Sequence, residues 1–119
     1  MAQKLPESSG SVVGFHIPKI MEKSDYAELT PELESIVAEF GHVELLCDMR
    51  DFRWEKASAW GADLAFGKEF HGKITKMAIV GDSLPDEALA VLAKPFYARE
   101  VKYFSDPADA WDWLRADAG

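Results

Sequence analysis

The stretch HVELLCDMRDF, residues 42–52, decides how this chain is read. Val43, Leu45 and Cys47 alternate with Leu46, so the run is almost continuously apolar and predicts a short strand covered on both faces rather than on one. Three charged residues, Asp48, Arg50 and Asp51, follow at once and mark the place where that strand leaves the sheet. Upstream, SDYAELTPELESIVAEFG (24–41) predicts a helix: Ser24 or Asp25 caps it, Leu29, Leu33, Ile36, Val37 and Phe40 recur at helical spacing, and Gly41 stops it. Pro31 is expected near a first turn, dividing a short leading turn from the main helix. Further upstream, SSGSVVGFHIPKI (8–20) sets a glycine turn before an extended run. There Val13, Phe15 and Ile17 alternate against Gly14 and His16, forming a hairpin with an edge strand around Gln3 to Leu5.

Downstream the pattern repeats. KASAWGADLAFGKEFH (56–71) predicts a second helix and ITKMAIVGD (74–82) a third interior strand. PDEALAVLAKPF (85–96) predicts a third helix between two prolines, REVKYF (99–104) the last strand, and DPADAWDWLRAD (106–117) a final helix with Asp106 as cap and Pro107 at its first position. Strands separated by helices predict an α/β fold: a mostly parallel sheet of four or five strands, an antiparallel N-terminal edge and about four helices. The chain is expected to form one domain over residues 1–119, since 119 residues suffice for one core and are too few for two.

Composition narrows the function classes. A net charge of −8 disfavours nucleic acid as a partner. No signal peptide and no run of about 20 apolar residues is present, so a soluble cytoplasmic protein is expected, with peripheral contact at the inner membrane surface left open. The single cysteine, Cys47, lies within the apolar strand and is read as a buried, inert thiol.

The order and spacing of SSGSVVGFHI, LLCDMRDF, AIVGDS, KPFYAREVKYF and DPADAWDWLR resemble the SpoIIAA-like family of STAS domains, which is related to the CRAL-TRIO lipid-binding fold. The resemblance spans nearly the whole chain. It implies a mixed sheet of four or five strands with helices beside it and no established reaction, and it brings in apolar ligands or membrane surfaces as partners. The anti-sigma factor antagonists, a neighbouring branch of STAS proteins, are regulated by phosphorylation of a serine in a D-S-S-G-like turn. This chain has FRWEKASAWG (52–61) there, with Glu55, Lys56 and Ala57 in place of the Asp-Ser-Ser run, so the resemblance does not carry that switch over.

Two groups of residues are candidates for a site. The first is polar: Asp48, Arg50, Asp51 and Asp82 fall at the carboxyl ends of predicted parallel strands, where α/β sheets gather ligands. Three acids there would suit Mg²⁺, yet turns and caps use the same residue types, and Arg50 is expected to pair locally with Asp48 and Asp51. The three histidines have no serine and acid at a supporting spacing, so no catalytic residue, metal or cofactor is assigned.

The second group is aromatic. At about 100° per residue, Trp60, Leu64, Gly67 and His71 share one face of the second helix, with Phe66 and Phe70 a third of a turn aside. This apolar arc is wider than packing on a sheet requires. With Trp54 before it and Phe96 and Tyr97 in a later loop, it is expected to contact a lipid-like small ligand or a membrane, or to serve as a homodimer or protein interface. The chain is thus read as a non-enzymatic binding domain.

Overall fold

A computed structural model of the chain describes residues 3–51, 54–55, 69–70, 72–81 and 99–116. Strands β1 (Gln3–Lys4), β2 (Val12–His16), β4 (Val43–Asp48), β6 (Ile74–Val80) and β7 (Glu100–Phe104) form one five-stranded sheet in the order β1-β2-β4-β6-β7. β1 pairs antiparallel with β2, and every other pair in this sheet is parallel. A second sheet of two short parallel strands, β3 (Ile20–Met21) and β5 (Trp54–Glu55), stands apart from it. Two helices are described over their full length, α1 (Lys23–Phe40) and α2 (Pro107–Arg115). The predicted third helix and nearly all of the predicted second lie outside the described residues; of the latter, Glu69 and Phe70 are helical.

The strand predicted from residues 42–52 is β4, at the centre of the sheet, and both its faces are covered. Val43 and Leu45 join Val13, Phe15, Met77 and Ile79 in a core closed by Leu29 and Leu33 of α1, while Leu46 joins Val12, Ala78 and Val80 under Trp111 and Leu114 of α2. The alternation is kept in register across β2, β4 and β6 except at one place. Val43 lies opposite Ile74 but Glu44 opposite Lys76, so Thr75 is an extra residue in β6. That bulge turns Ile74 toward α1, where it is fully buried, instead of leaving it on the α2 side with Lys76.

The cap of helix α1 falls two residues before Ser24, the earlier of the two predicted caps. Glu22 is the cap residue, and Asp25, buried at the third helical position, accepts a hydrogen bond from the Glu22 N–H at 2.8 Å. Pro31 sits inside a continuous helix rather than near its first turn. It supplies no N–H for the turn before it, and beside it the Thr30 hydroxyl bonds the Tyr26 carbonyl at 2.8 Å. Gly41, at φ 83°, ends α1 as expected. Phe40 departs from the expected apolar face and is 42% exposed. Eighteen helical residues run about 27 Å while six strand residues run about 20 Å, so the last turn overshoots the sheet.

Helix α2 begins as predicted: Pro107 occupies its first turn and the Asp106 carboxylate accepts from the Ala108 N–H at 2.9 Å. Its far end is held by Lys76, which donates to the Trp113 carbonyl at 3.0 Å and lies 5.1 Å from the Trp113 ring centre. Its middle is held by a close approach. Trp111 packs so close to β2 that a Cβ at Gly14 would come within 2.5 Å of its ring. Gly14→Ala is therefore expected to push Trp111 out of its seat and destabilise the fold by about 1–3 kcal/mol. Urea denaturation checks this, and an unchanged midpoint would show that the ring has room to move.

Candidate functional site

The carboxyl ends of the parallel strands bring four polar side chains together. β2 ends at His16 and β4 at Asp48, and the parallel register sets these two residues opposite each other. The sheet ladder continues briefly past them, with Ile17 N–H donating to the Asp48 carbonyl at 3.0 Å and Met49 N–H to the Val80 carbonyl at 2.7 Å. The chain then turns, and Arg50 folds back on Asp48. Its Nε donates to Oδ1 at 2.8 Å, its Nη2 to Oδ2 at 2.7 Å, and its backbone N–H to Oδ1 at 3.2 Å. This bidentate clamp holds a carboxylate that is only 6% exposed.

Asp51 does not share Arg50 as its expected ion partner. Its Oδ2 lies 2.7 Å from Nε2 of His16, whose ring is one-third exposed. The reason is the parallel pairing: it carries His16 to the same edge, within reach of the turn. His16 is thus a member of the cluster that sequence reasoning missed, and the signal that would have found it is the β2–β4 register. Next along the edge, the Tyr103 hydroxyl donates to the Gly81 carbonyl.

Burial pushes the Asp48 carboxyl up, but the Arg50 hydrogen bonds and charge, helped by His16, outweigh it and hold the group below its ordinary range. Cys47, one residue earlier, has its thiol pushed up to about 12, first by burial and then by the neighbouring Asp48 charge. That thiol is protonated at neutral pH and is a poor nucleophile. Among the described residues no three His, Cys, Asp or Glu side chains gather closely enough to hold a metal ion.

The aromatic group is only partly in view. Phe70 is 1% exposed in the core beneath α1. The backbone of Trp54 pairs with Ile20. Trp60, Leu64, Phe66, Asp82, Phe96 and Tyr97 lie outside the described residues. No helix of the described residues is long and apolar enough to cross a membrane.

The SpoIIAA-like family model matches residues 12–115. The chain belongs to the SpoIIAA-like family. This SpoIIAA-like domain is similar to a solved structure, that of an uncharacterised protein of the DUF3478 family with a SpoIIAA-like fold from Shewanella loihica PV-4. The two are 25% identical, with a TM-score of 0.75, over 96% of this chain and 92% of the other. No curated protein matches the chain.

The Asp48–Arg50 clamp gives this SpoIIAA-like domain a definite pH dependence. The folded Asp48 carboxyl titrates below its unfolded value of about 3.9, so its stabilising contribution is complete above that value and is lost as pH falls through the lower, folded one. Folding stability measured by urea between pH 5 and pH 2 is expected to decline, and Asp48→Asn to flatten that slope; equal slopes would refute the assignment. Arg50→Ala at pH 7 is expected to cost about 1–2 kcal/mol, the lower part of the range for charged hydrogen bonds because the Arg50 side chain is 43% exposed.

Proposed function

We propose that this SpoIIAA-like domain binds an amphipathic, lipid-like small molecule without catalysis, at the carboxyl edge of its sheet and beneath the segment that joins β5 to β6. The observation that supports this reading is how that segment is tethered. At its start, β5 is hydrogen-bonded to β3. At its end, Phe70 is sunk in the core, and Glu69 has its carboxyl pushed up by slight burial and by Glu34 of α1. Between these anchors the sequence places Trp60, Leu64 and Phe66, more apolar bulk than one helix needs to cover a sheet.

The polar edge fits the same reading. Asp48 is clamped by Arg50, and His16 is paired with Asp51. Charged and hydrogen-bonding groups at this edge suit a polar headgroup, and the protonated Cys47 beside them is a poor nucleophile. Phe96 and Tyr97 belong to the proposed apolar lining, while Phe70, being core, supports it from behind.

Native mass spectrometry after gentle purification, and retention on vesicles of phosphatidylglycerol and phosphatidylcholine, test the proposal. The expected result is a bound lipid or fatty acid, or retention on the vesicles, weakened about tenfold or more by Phe66→Asp, as loss of a buried aromatic contact implies. The absence of both would overturn it. A stable dimer in light scattering, lost with Phe66→Asp and accompanied by neither lipid signal, would instead assign the segment to a protein interface.

A further inference from the structure

The opposite edge of the sheet, where the parallel strands begin, holds a cleft of about 370 Å³. One wall is the turn from Ser9 to Val12 with Arg115 at the end of α2; the other is Phe40 and His42, where α1 passes into β4. The turn is tight and well fixed. Ser9 and Val12 exchange both backbone hydrogen bonds, at 2.9 and 3.0 Å, and Gly10 takes φ 59°, the left-handed first position of a II′ turn. Arg115 is fixed beside it, stacked 4.9 Å from the centre of the Trp111 ring and donating to the Glu7 carbonyl at 2.5 Å and to the Ser9 hydroxyl at 3.2 Å. This wall presents a guanidinium and two hydroxyls, a surface for an anion.

The second wall has the opposite polarity. The last turn of α1 contains no basic residue, so the negative end of its dipole faces this edge without a helix cation to offset it. Behind His42 lies Glu44, whose side chain is only 5% exposed. Its Oε1 is 3.0 Å from Nδ1 of His42 without the alignment of a hydrogen bond, and neither that Nδ1 nor the Glu44 Oε2 has a hydrogen-bond partner among the described residues. A buried carboxylate oxygen without a donor is costly and marks a place where a donor is wanted. His42, 39% exposed, is the side chain that connects this carboxylate to the cleft. Phe40, 42% exposed, adds an apolar surface on the same side.

We propose that this cleft binds a small zwitterion of the α-amino-acid type. The carboxylate would lie on Arg115 and the Ser9 and Ser11 hydroxyls, the ammonium on Glu44 with His42 moved aside, and an apolar side chain over Phe40. The two walls are matched to the two ends of such a molecule, and neither a simple anion nor a simple cation satisfies both. The site is at the far end of the strands from the proposed lipid site and is independent of it.

Amide NMR spectra of the full chain titrated with L-leucine test the proposal. Saturable shifts are expected at Gly10, Ser11, His42 and Glu44. N-acetyl-L-leucine, which lacks the ammonium, and L-leucinamide, which lacks the carboxylate, should each bind about tenfold or more weaker, the loss of one charge-assisted hydrogen bond. Glu44→Gln, with a folded spectrum, should lower L-leucine binding to the level of the acetylated ligand and leave the latter unchanged. Equal binding of the three compounds, or no saturable shift at the cleft in the unaltered protein, would overturn the assignment without reference to the variant.

Discussion

The parallel pairing of β2 with β4, from Val12 opposite Glu44 to His16 opposite Asp48, is the constraint on which the rest of the molecule depends. It places Val13 beside Leu45 on the α1 side, and Gly14 beside Leu46 on the side where Trp111 packs. It also fixes what stands at each end of the two strands. At the carboxyl end His16 meets the Asp48 turn; at the amino end Ser11 meets Glu44, whose N–H donates to the Ser11 carbonyl at 2.9 Å. A slip of one residue would turn every side chain of β2 to the other face and dismantle both clusters together.

What was legible in the sequence was local. The almost unbroken apolar run of β4, the Gly41 stop, the Asp106 cap and the N-terminal hairpin depend on residues within a few positions of one another, and periodicity or cap chemistry reveals them. The His16–Asp51 pair spans 35 residues and exists only because two strands align, so no spacing rule could reach it. Charge misled in the same way. Arg50 is expected to pair with Asp48 and Asp51 alike; it closes on Asp48, because a residue and its second neighbour meet across a tight turn, while Asp51 takes His16.

The helices show a related limit. Phe40 continues the apolar series of α1, and its spacing assigns it to the core face, yet helix length relative to strand length leaves it 42% exposed. Glu44 and Lys76 sit in strands whose alternation assigns them to a covered face, and both are buried there: one reaches the end of α2, the other the His42 ring. A pattern of apolar and polar residues reports which face a side chain takes. It does not report that a long charged side chain can lie along an apolar face and find its partner at the edge.

The bulge at Thr75 separates the sheet into two frames. Beyond it toward the carboxyl ends, β2, β4 and β6 alternate in one phase; before it, β6 alone is out of step with that phase. The amino edge can therefore carry buried Ile74 against α1 while Lys76, two residues on, still faces α2. The chain around residues 72–75 is tied on both sides of the step, by the Val43 N–H to the Lys73 carbonyl and by the Arg99 N–H to the Ile74 carbonyl, each at 3.0 Å. The phase that positions His16, Asp48 and Arg50 is set further up the sheet, past the bulge, so the step in β6 at the amino edge does not carry into the carboxyl edge.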